Sequence, residues 1–347
     1  MFTLPDYIQL TEDPSETLNQ LVRQLSPDTV GIIVDENTAR HCLPKFTPDF
    51  PYFLIEIHSG EKEKNLATCD LIWQELTRQN CTRKSLVINL GGGVIGDMGG
   101  FSAATFKRGI RFINIPTTLL SQVDASIGGK LGVDFHGLKN HIGVFQLPDK
   151  VLIWEGFLET LPARELRSGF AEVIKHGLIR DKHYWNALLE KDFPDNIDWK
   201  PIIRKSVELK NDVVQEDPTE KGLRKILNFG HTLGHGIETW YLNSGRDILH
   251  GEAIAAGMIL ESHLSMQKGL LRADELEEIT AYILGIYPGL SEFPPEEELY
   301  GLLAQDKKNE GKTILFSLIR GIGDCAFDIT VENKEIRQAL AYYRAIK

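Results

Sequence analysis

Sulfur, positive charge and long apolar runs are all scarce in this chain of 347 residues. Its four cysteines, Cys42, Cys69, Cys81 and Cys325, are scattered, and no two form a Cys-x-x-Cys pair. That excludes a disulfide framework and a cysteine metal site, and it predicts reduced thiols. Lysine and arginine number 38 against 49 acidic residues, a net charge of −11. A general nucleic-acid binder needs a basic face for the phosphate backbone, so that class is excluded, whereas a small anionic substrate needs only a local cluster of cations. No apolar run approaches the ~20 residues of a membrane-spanning helix. The N-terminus, Met1-Phe2-Thr3-Leu4-Pro5-Asp6, lacks a basic stretch followed by an apolar one, so no secretory signal is expected and the cytoplasm is the expected compartment. Internal repeats and low-complexity tracts are missing as well.

What remains is a globular composition, 42% hydrophobic and 25% charged, in a chain long enough for about two domains. The first half alternates strands and helices. Val30–Val34, Tyr52–Ile57, Ser85–Leu90 and Phe112–Ile115 are short apolar runs of the kind buried strands show, and Glu61–Gln79 carries helical periodicity. The pattern predicts a mostly parallel sheet wrapped by helices, with ligands at the carboxyl ends of the strands. Straight after the third strand comes Gly91-Gly92-Gly93-Val94-Ile95-Gly96-Asp97, in which residues 91, 93 and 96 satisfy G-x-G-x-x-G. Glycines there let backbone approach a pyrophosphate whose charge the helix N-terminus favours. The ribose-binding acid expected about twenty residues on is missing; Ile115-Pro116-Thr117-Thr118 stands there instead. The segment therefore fits a nucleotide gripped in an unorthodox way or a plain strand-to-helix turn. Residues 106–146 gather Arg108, Thr117, Thr118, Gln122, Asp124, Lys130, Lys139 and Asn140. Gly128-Gly129-Lys130 and Gly137-Leu138-Lys139-Asn140 read as loops that set lysines beside flexible backbone, suited to anionic oxygens.

Near Leu147-Pro148-Asp149 the alternation stops, which predicts an α/β domain over 1–154 and a mainly helical one over 155–347. Pro162 and Glu165 mark a helix start. Glu172 and Lys175, three apart, share a helix face amid Phe170, Val173, Ile174 and Leu178. The stretch Leu227–Trp240 reads as a helix on which Arg224, Asn228, His231 and His235 fall within an arc of roughly 60°. Leu223, Ile226, Leu233, Ile237 and Trp240 supply its buried side, and a third histidine, His250, is expected in a loop. A carboxylate plus two imidazoles is a catalytic-zinc ligand set that leaves one position open. Glu172, His231 and one more histidine are the candidates, although satisfied core histidines and a surface ion pair fit the same residues taken singly. Val207–Asp217 is a helix bearing Lys210, Ala253–Leu260 a core helix, and Asp306-Lys307-Lys308 precedes a short strand at Thr313–Ile319.

From about Asp35 to Phe327 these segments resemble the 3-dehydroquinate synthase family of sugar-phosphate cyclases. The motifs that carry the resemblance are Gly60-Glu61-x-x-Lys64, Gly91–Asp97, Pro116-Thr117-Thr118, Val123–Lys130 and Lys139-Asn140, then Ala171–Lys175, Asn228–Thr232 with His235, and His250-Gly251-Glu252. The resemblance implies a nucleotide-binding α/β domain, a helical C-terminal domain and a homodimer. It implies a divalent metal, usually zinc and otherwise cobalt, on Glu172, His231 and His250. NAD would be held by Asp35, Asn37, Glu61, Lys64, Gly93, Val94, Ile95, Gly96, Asp97, Thr117, Thr118, Lys139 and the turn from Phe157 to Thr160, with Lys130 beside it. Substrate phosphate and carboxylate would meet Lys130, Asn140, Lys175, Lys210, Arg224, Asn228, His235 and one lysine of the Lys307-Lys308 pair. Asp124 joins this catalytic group, and Arg108 matches an arginine that reaches the neighbouring subunit's site. One local departure is Asp134, where many members have an asparagine. The implied substrate is 3-deoxy-D-arabino-heptulosonate 7-phosphate. The implied sequence is oxidation with NAD, loss of phosphate, re-reduction, ring opening and aldol closure to 3-dehydroquinate, a step of the shikimate pathway. The rivals are another sugar-phosphate cyclase, a glycerol-phosphate or alcohol dehydrogenase of similar fold, and a catalytically silent metal- and nucleotide-binding protein.

Overall fold

A computed structural model of the chain describes residues 4–136, 138–191, 193–194, 197–304 and 314–346. It divides into two compact units, Met1–Pro162 and Ala163–Lys347.

The first unit runs β1 (Ile8–Leu10), α1 (Pro14–Leu25), β2 (Val30–Asp35), α2 (Glu36–His41), β3 (Phe53–Ile57), α3 (Leu66–Arg78), β4 (Leu86–Gly91), α4 (Gly93–Thr105) and β5 (Arg111–Pro116). A hairpin of β6 (Lys130–Phe135) and β7 (Leu138–Phe145) follows, then β8 (Lys150–Ile153). Six strands pair in the order β1-β8-β5-β4-β2-β3, every pair parallel. The four expected strands are β2 to β5. Side chains of β2, β4 and β5 alternate between two cores: Ile33, Val87 and Phe112 pack on one face with Met98 and Phe101 of α4. Ile32, Val34, Ile88 and Ile113 pack on the other with Leu18 and Leu21 of α1. Burial on both faces is why β2, β4 and β5 read as apolar runs, whereas β3, at the sheet edge, buries Ile55 and Ile57 and exposes Leu54 and Glu56.

Four expectations about this unit need correction. The alternation does not stop at Leu147-Pro148-Asp149, because β8 follows and pairs with both β1 and β5. Lys130–Phe135 and Leu138–Phe145 are not loops around lysines but paired antiparallel strands, with Lys130 opposite Phe145. The inward residues Leu131 and Val133 join the α4-side core. The helix expected from Glu61 begins only at Leu66, where Asn65 caps it by accepting the Thr68 N–H at 3.0 Å. The α/β unit also extends past 154. The turn Glu155–Thr160 sets the Phe157 ring into the α1-side core, so the compact unit closes at Pro162.

The second unit contains α5 (Ala163–Arg180), α6 (Lys182–Leu189), α7 (Trp199–Glu216), α8 (His231–Asn243), α9 (His250–Gln267), α10 (Ala273–Ile286) and α11 (Glu296–Ala304). An antiparallel pair, β9 (Leu315–Ile319) and β10 (Cys325–Thr330), and α12 (Asn333–Ile346) complete it. Helix α9 is buried from Ala253 to Ser265, so it is buried all round rather than on one stripe. Among the described residues no helix is long and apolar enough to cross a membrane.

The helix expected over 227–240 also differs. Helix α8 begins at His231, after Gly230 with φ 78°, and Leu223–Asn228 forms a separate 3₁₀ turn. Arg224 and Asn228 therefore approach from that turn, not along one helical arc. His250 is the first residue of α9 rather than a loop residue.

Candidate active site

Parallel pairing brings the carboxyl ends of β2, β3, β4, β5 and β8 to one edge of the sheet, the edge where open α/β sheets take ligands. Asp35 ends β2, and its carboxylate accepts the Thr38 N–H at 2.7 Å to cap α2, which carries Asn37. Gly91 ends β4 and Gly92 precedes α4, so Gly93, Val94, Ile95, Gly96 and Asp97 make the helix's first turns. Ile95 is buried in the core. At Gly96 an added Cβ would meet nothing within 4 Å, so packing does not require glycine there and the backbone lies open to a ligand. Thr117 follows β5 and donates its N–H to the Gly91 carbonyl at 3.0 Å. The Thr118 side chain bonds Ser121 and lies close to Gly92. Phe157 and Thr160 stand in the turn after β8, the Phe157 ring packed 4.9 Å from that of Trp154.

Next to the glycine turn sits a charged cluster drawn from three segments. The Lys64 ammonium is buried 2.6 Å from Asp97, and Lys139 of β7 lies 3.3 Å from Glu61. Burial alone would lower the Lys64 pKa, but Asp97 and Glu61 outweigh it and raise it, so the ammonium stays charged. The Lys64 carbonyl accepts the Asp134 N–H at 2.8 Å, and Asp134 accepts the Asn140 N–H at 2.7 Å. Burial raises the Asp134 carboxyl, with the Asn140 N–H partly offsetting it. The residue that departs from the resemblance thus ties the hairpin to the Lys64 turn and holds Asn140 at φ 49°. Lys130 begins β6 after Gly129 at φ 63°. Asp124 lies in a π-helical turn, Ser121–Ala125, a distortion that recurs at functional sites. From that turn Gln122 donates to the carbonyls of Pro116 at 3.2 Å and Trp154 at 2.9 Å, joining the ends of β5 and β8. Arg108 is exposed in the turn Phe106–Arg108, at φ 70°.

In the helical unit, α5, α8 and α9 bring Glu172, His231 and His250 together. His231 Nε2 is 3.3 Å and His250 Nε2 3.6 Å from Glu172 Oε1, and the Lys175 ammonium contacts Glu172 Oε2 one turn along α5. The Glu172 carboxylate is fully buried, and neither oxygen finds a hydrogen bond of regular geometry. Burial would raise its pKa, yet Lys175 and His231 hold it well below the usual carboxylate range. Burial first, and then Lys175, push His231 down to about 4. Burial acts the same way on His250, but Glu238 and Glu172 outweigh it and raise it to about 9.

Each imidazole is also held from behind. His231 Nδ1 lies 3.0 Å from the Phe229 carbonyl, and His250 Nδ1 lies 3.3 Å from Glu238 Oε2. These contacts place the proton on Nδ1 and turn Nε2 toward Glu172, the arrangement of a metal-ligating histidine with its outer partner. The donor set and the carboxylate oxygens without regular hydrogen bonds fit a divalent cation such as zinc. The His235 ring is 5.1 Å from His231 and 5.7 Å from His250, and one nitrogen from each of the three rings lies within 4.8 Å of the others.

Three buried cations belong to the same unit: Lys175 on α5, Lys210 on α7 and Arg224 in the 3₁₀ turn. Asp217 shapes the loop that carries Arg224 by accepting the N–H groups of Lys221, Gly222 and Arg224 at 3.0, 2.7 and 3.1 Å. Arg224 donates to the Pro218 carbonyl at 2.7 Å, and Asn228 donates to Glu220 at 2.8 Å. Lys307 lies outside the described residues. Sequence reasoning missed Glu238, Glu220 and Asp217. Glu238 carried a usable signal, an acid on the otherwise apolar side of α8 next to Ile237.

Known proteins resemble this chain along nearly its whole length. The model for the 3-dehydroquinate synthase N-terminal region matches residues 54–168, and that for the C-terminal region matches 169–309. A 3-dehydroquinate synthase from Parabacteroides distasonis is 40% identical over 345 residues, covering 97% of each chain. One from Pelobacter propionicus is 45% identical over 280 residues, 78% of this chain and 77% of that one. Among solved structures, 2-epi-5-epi-valiolone synthase from Streptomyces hygroscopicus, with NAD+ and Zn2+ bound, superimposes with a TM-score of 0.84 at 26% identity over 100% of this chain and 99% of that one. A probable glycerol dehydrogenase from Sinorhizobium meliloti shares the fold, with a TM-score of 0.63 at 16% identity over 100% and 98%. With both family regions matched in order and likeness to curated members along nearly its whole length, this chain belongs to the 3-dehydroquinate synthase family.

Proposed function

We propose that the chain turns 3-deoxy-D-arabino-heptulosonate 7-phosphate into 3-dehydroquinate and phosphate as a homodimer, with NAD in the α/β unit and zinc or cobalt in the helical unit. The observation that carries this reading is the fully buried Glu172 carboxylate facing two imidazole nitrogens, in a unit that also buries Lys175, Lys210 and Arg224. Packing alone gives no reason to bury so many ionisable groups. The 2-epi-5-epi-valiolone synthase structure, with NAD+ and Zn2+ bound, supports the choice of cofactors.

When bound, the metal would polarise the substrate's hydroxyl oxygens and NAD would take and return a hydride. The chain's own groups do the remainder. Glu172, His231 and His250 hold the metal. The Gly93–Asp97 turn offers backbone N–H groups to the pyrophosphate, while Asp35, Asn37, Thr117, Thr118 and the Glu61, Lys64, Lys139 cluster orient the rest of the dinucleotide. Lys130, Asn140, Lys175 and His235 stabilise the charge of the departing phosphate, which takes up the proton itself. Lys210, Arg224 and Asn228 grip the substrate carboxylate, and planar Arg224 suits it best. Asp124 serves the same centre.

The decisive assay follows phosphate release and NADH together, with and without chelator. Stoichiometric phosphate, no accumulating NADH and loss of turnover on chelation are expected. NADH accumulation without phosphate would replace this reading with a dehydrogenase. Equal or faster turnover of sugar phosphates that lack a carboxylate would overturn the substrate.

The dimer is tested by complementation. If Arg108 serves the partner's site, mixing inactive Arg108→Ala and Lys130→Ala chains generates heterodimers in which one site carries both defects and one carries neither. Activity of about a quarter of wild type is expected from random mixing of a two-fold dimer. Heterodimers that form without any rescue would put Arg108 in its own subunit's site.

A further inference from the structure

We propose that Glu261 is the positioning residue for His231, an inference that rests on reading His231 as a metal ligand. The first N–H groups of a helix have no partner within it. Helix α8 has Gly230 at its N-cap and no side-chain cap of its own, since glycine has no side chain to offer. The carboxylate of Glu261, fully buried on α9, takes over that task. Its Oε2 accepts the Gly230 N–H at 2.6 Å and its Oε1 accepts the Leu233 N–H at 2.9 Å. The two bonds flank His231 in the chain, so one rigid group fixes the backbone on both sides of it. A carboxylate here also meets the partial positive charge of the helix end.

Glycines lock the same contact. Gly257 lies one turn before Glu261 on α9, and a Cβ there would stand 1.9 Å from the Gly230 carbonyl oxygen. A Cβ on Gly230 would come within 2.5 Å of Met258, and one on Gly234 within 2.8 Å of Ile254. The backbones of α8 and α9 therefore touch, and α8 has no room to slide or rotate. Glu261 sets the backbone and the Phe229 carbonyl sets the ring, and together they aim Nε2 at Glu172. Nothing in the proposed chemistry uses Glu261 directly.

The test titrates metal-free protein with cobalt alone and reads its visible absorption. Glu261→Gln keeps the shape but turns one acceptor into a donor facing an N–H. It should weaken cobalt binding about 10- to 100-fold, the usual cost of losing an outer partner of a metal ligand, with helix content unchanged. At cobalt concentrations high enough to load the weakened two-ligand sites, the penalty should recur in a His250→Ala background and vanish in a His231→Ala background, because it acts through His231. Unchanged affinity, or the same penalty without His231, overturns the inference alone. A wild-type chain that binds no cobalt overturns the metal reading and this inference with it. Should Glu261→Gln not fold, hydrogen exchange in wild type decides: Gly230 and Leu233 amides protected like the core support the inference, and exchange as fast as at exposed amides overturns it.

Discussion

His231→Ala is expected to purify folded, almost free of metal and inactive, whereas His235→Ala should keep near-stoichiometric metal and lose about 10²–10³ in turnover. The two histidines sit one turn apart on α8, with ring centroids 5.1 Å apart. Geometry separates them. His231 Nε2 is 3.3 Å from the buried Glu172 carboxylate, and its other nitrogen is committed to the Phe229 carbonyl. A neutral ring held in that way can donate a lone pair to a cation. Removing one of three protein ligands leaves too few for tight binding, while removing an anion contact leaves the ligand set whole. His235 is nevertheless the rival for a ligand place, because it joins His231 and His250 in a tight triad of nitrogens. Metal analysis of the two purified variants settles the choice. Metal lost from His235→Ala and retained by His231→Ala would reverse the assignment.

Glu172→Ala is expected to cost stability as well as metal. Lys175 is as deeply buried as Glu172, and the pair touches across one turn of α5. Taking away one member of a buried ion pair leaves the other charge in a poor environment, typically at a cost of about 3 kcal/mol or more. Denaturant unfolding with chelator present isolates this loss from the metal's own contribution. Under those conditions the variant's midpoint should fall clearly below wild type, with an unchanged slope. A shift worth less than about 1 kcal/mol would show that the pair does little for the metal-free fold.

How much of this was legible depended on whether a residue's environment imprints a pattern on its neighbours. Strands β2, β4 and β5, buried on both faces, announce themselves as apolar runs, and edge strand β3 shows through its one buried face, Ile55 and Ile57. The short β1 and β8 are too brief to show any period, and β8 is led by Leu147-Pro148-Asp149, which reads as a turn. The hairpin hid because Lys130, Gly132 and Asp134 interrupt its buried Leu131 and Val133. At the site, the histidines and Glu172 could be found from residue type and spacing. The start of α8 could not, because a 3.6-residue period runs straight through Gly230, and only the left-handed backbone there shows the break. Glu238 and Glu261 answer to partners distant in sequence. Their one local trace is a charge amid apolar helix, as in Ile259-Leu260-Glu261.

The strand order also sets a timetable for synthesis. Ile8 of β1 pairs with Val151 of β8, and β8 lies between β1 and β5. As the chain leaves the ribosome, β2, β3, β4 and β5 have their neighbours early. Strand β1, the first made, has none until β8 emerges. Through that interval the edge of β5 stays unpaired, and such an edge invites pairing with other chains. Arrival of β8 and the turn bearing Phe157 closes the sheet edge and the α1-side core together. Nascent chains stalled before Lys150 should therefore be the aggregation-prone ones, and those released after Thr160 should not.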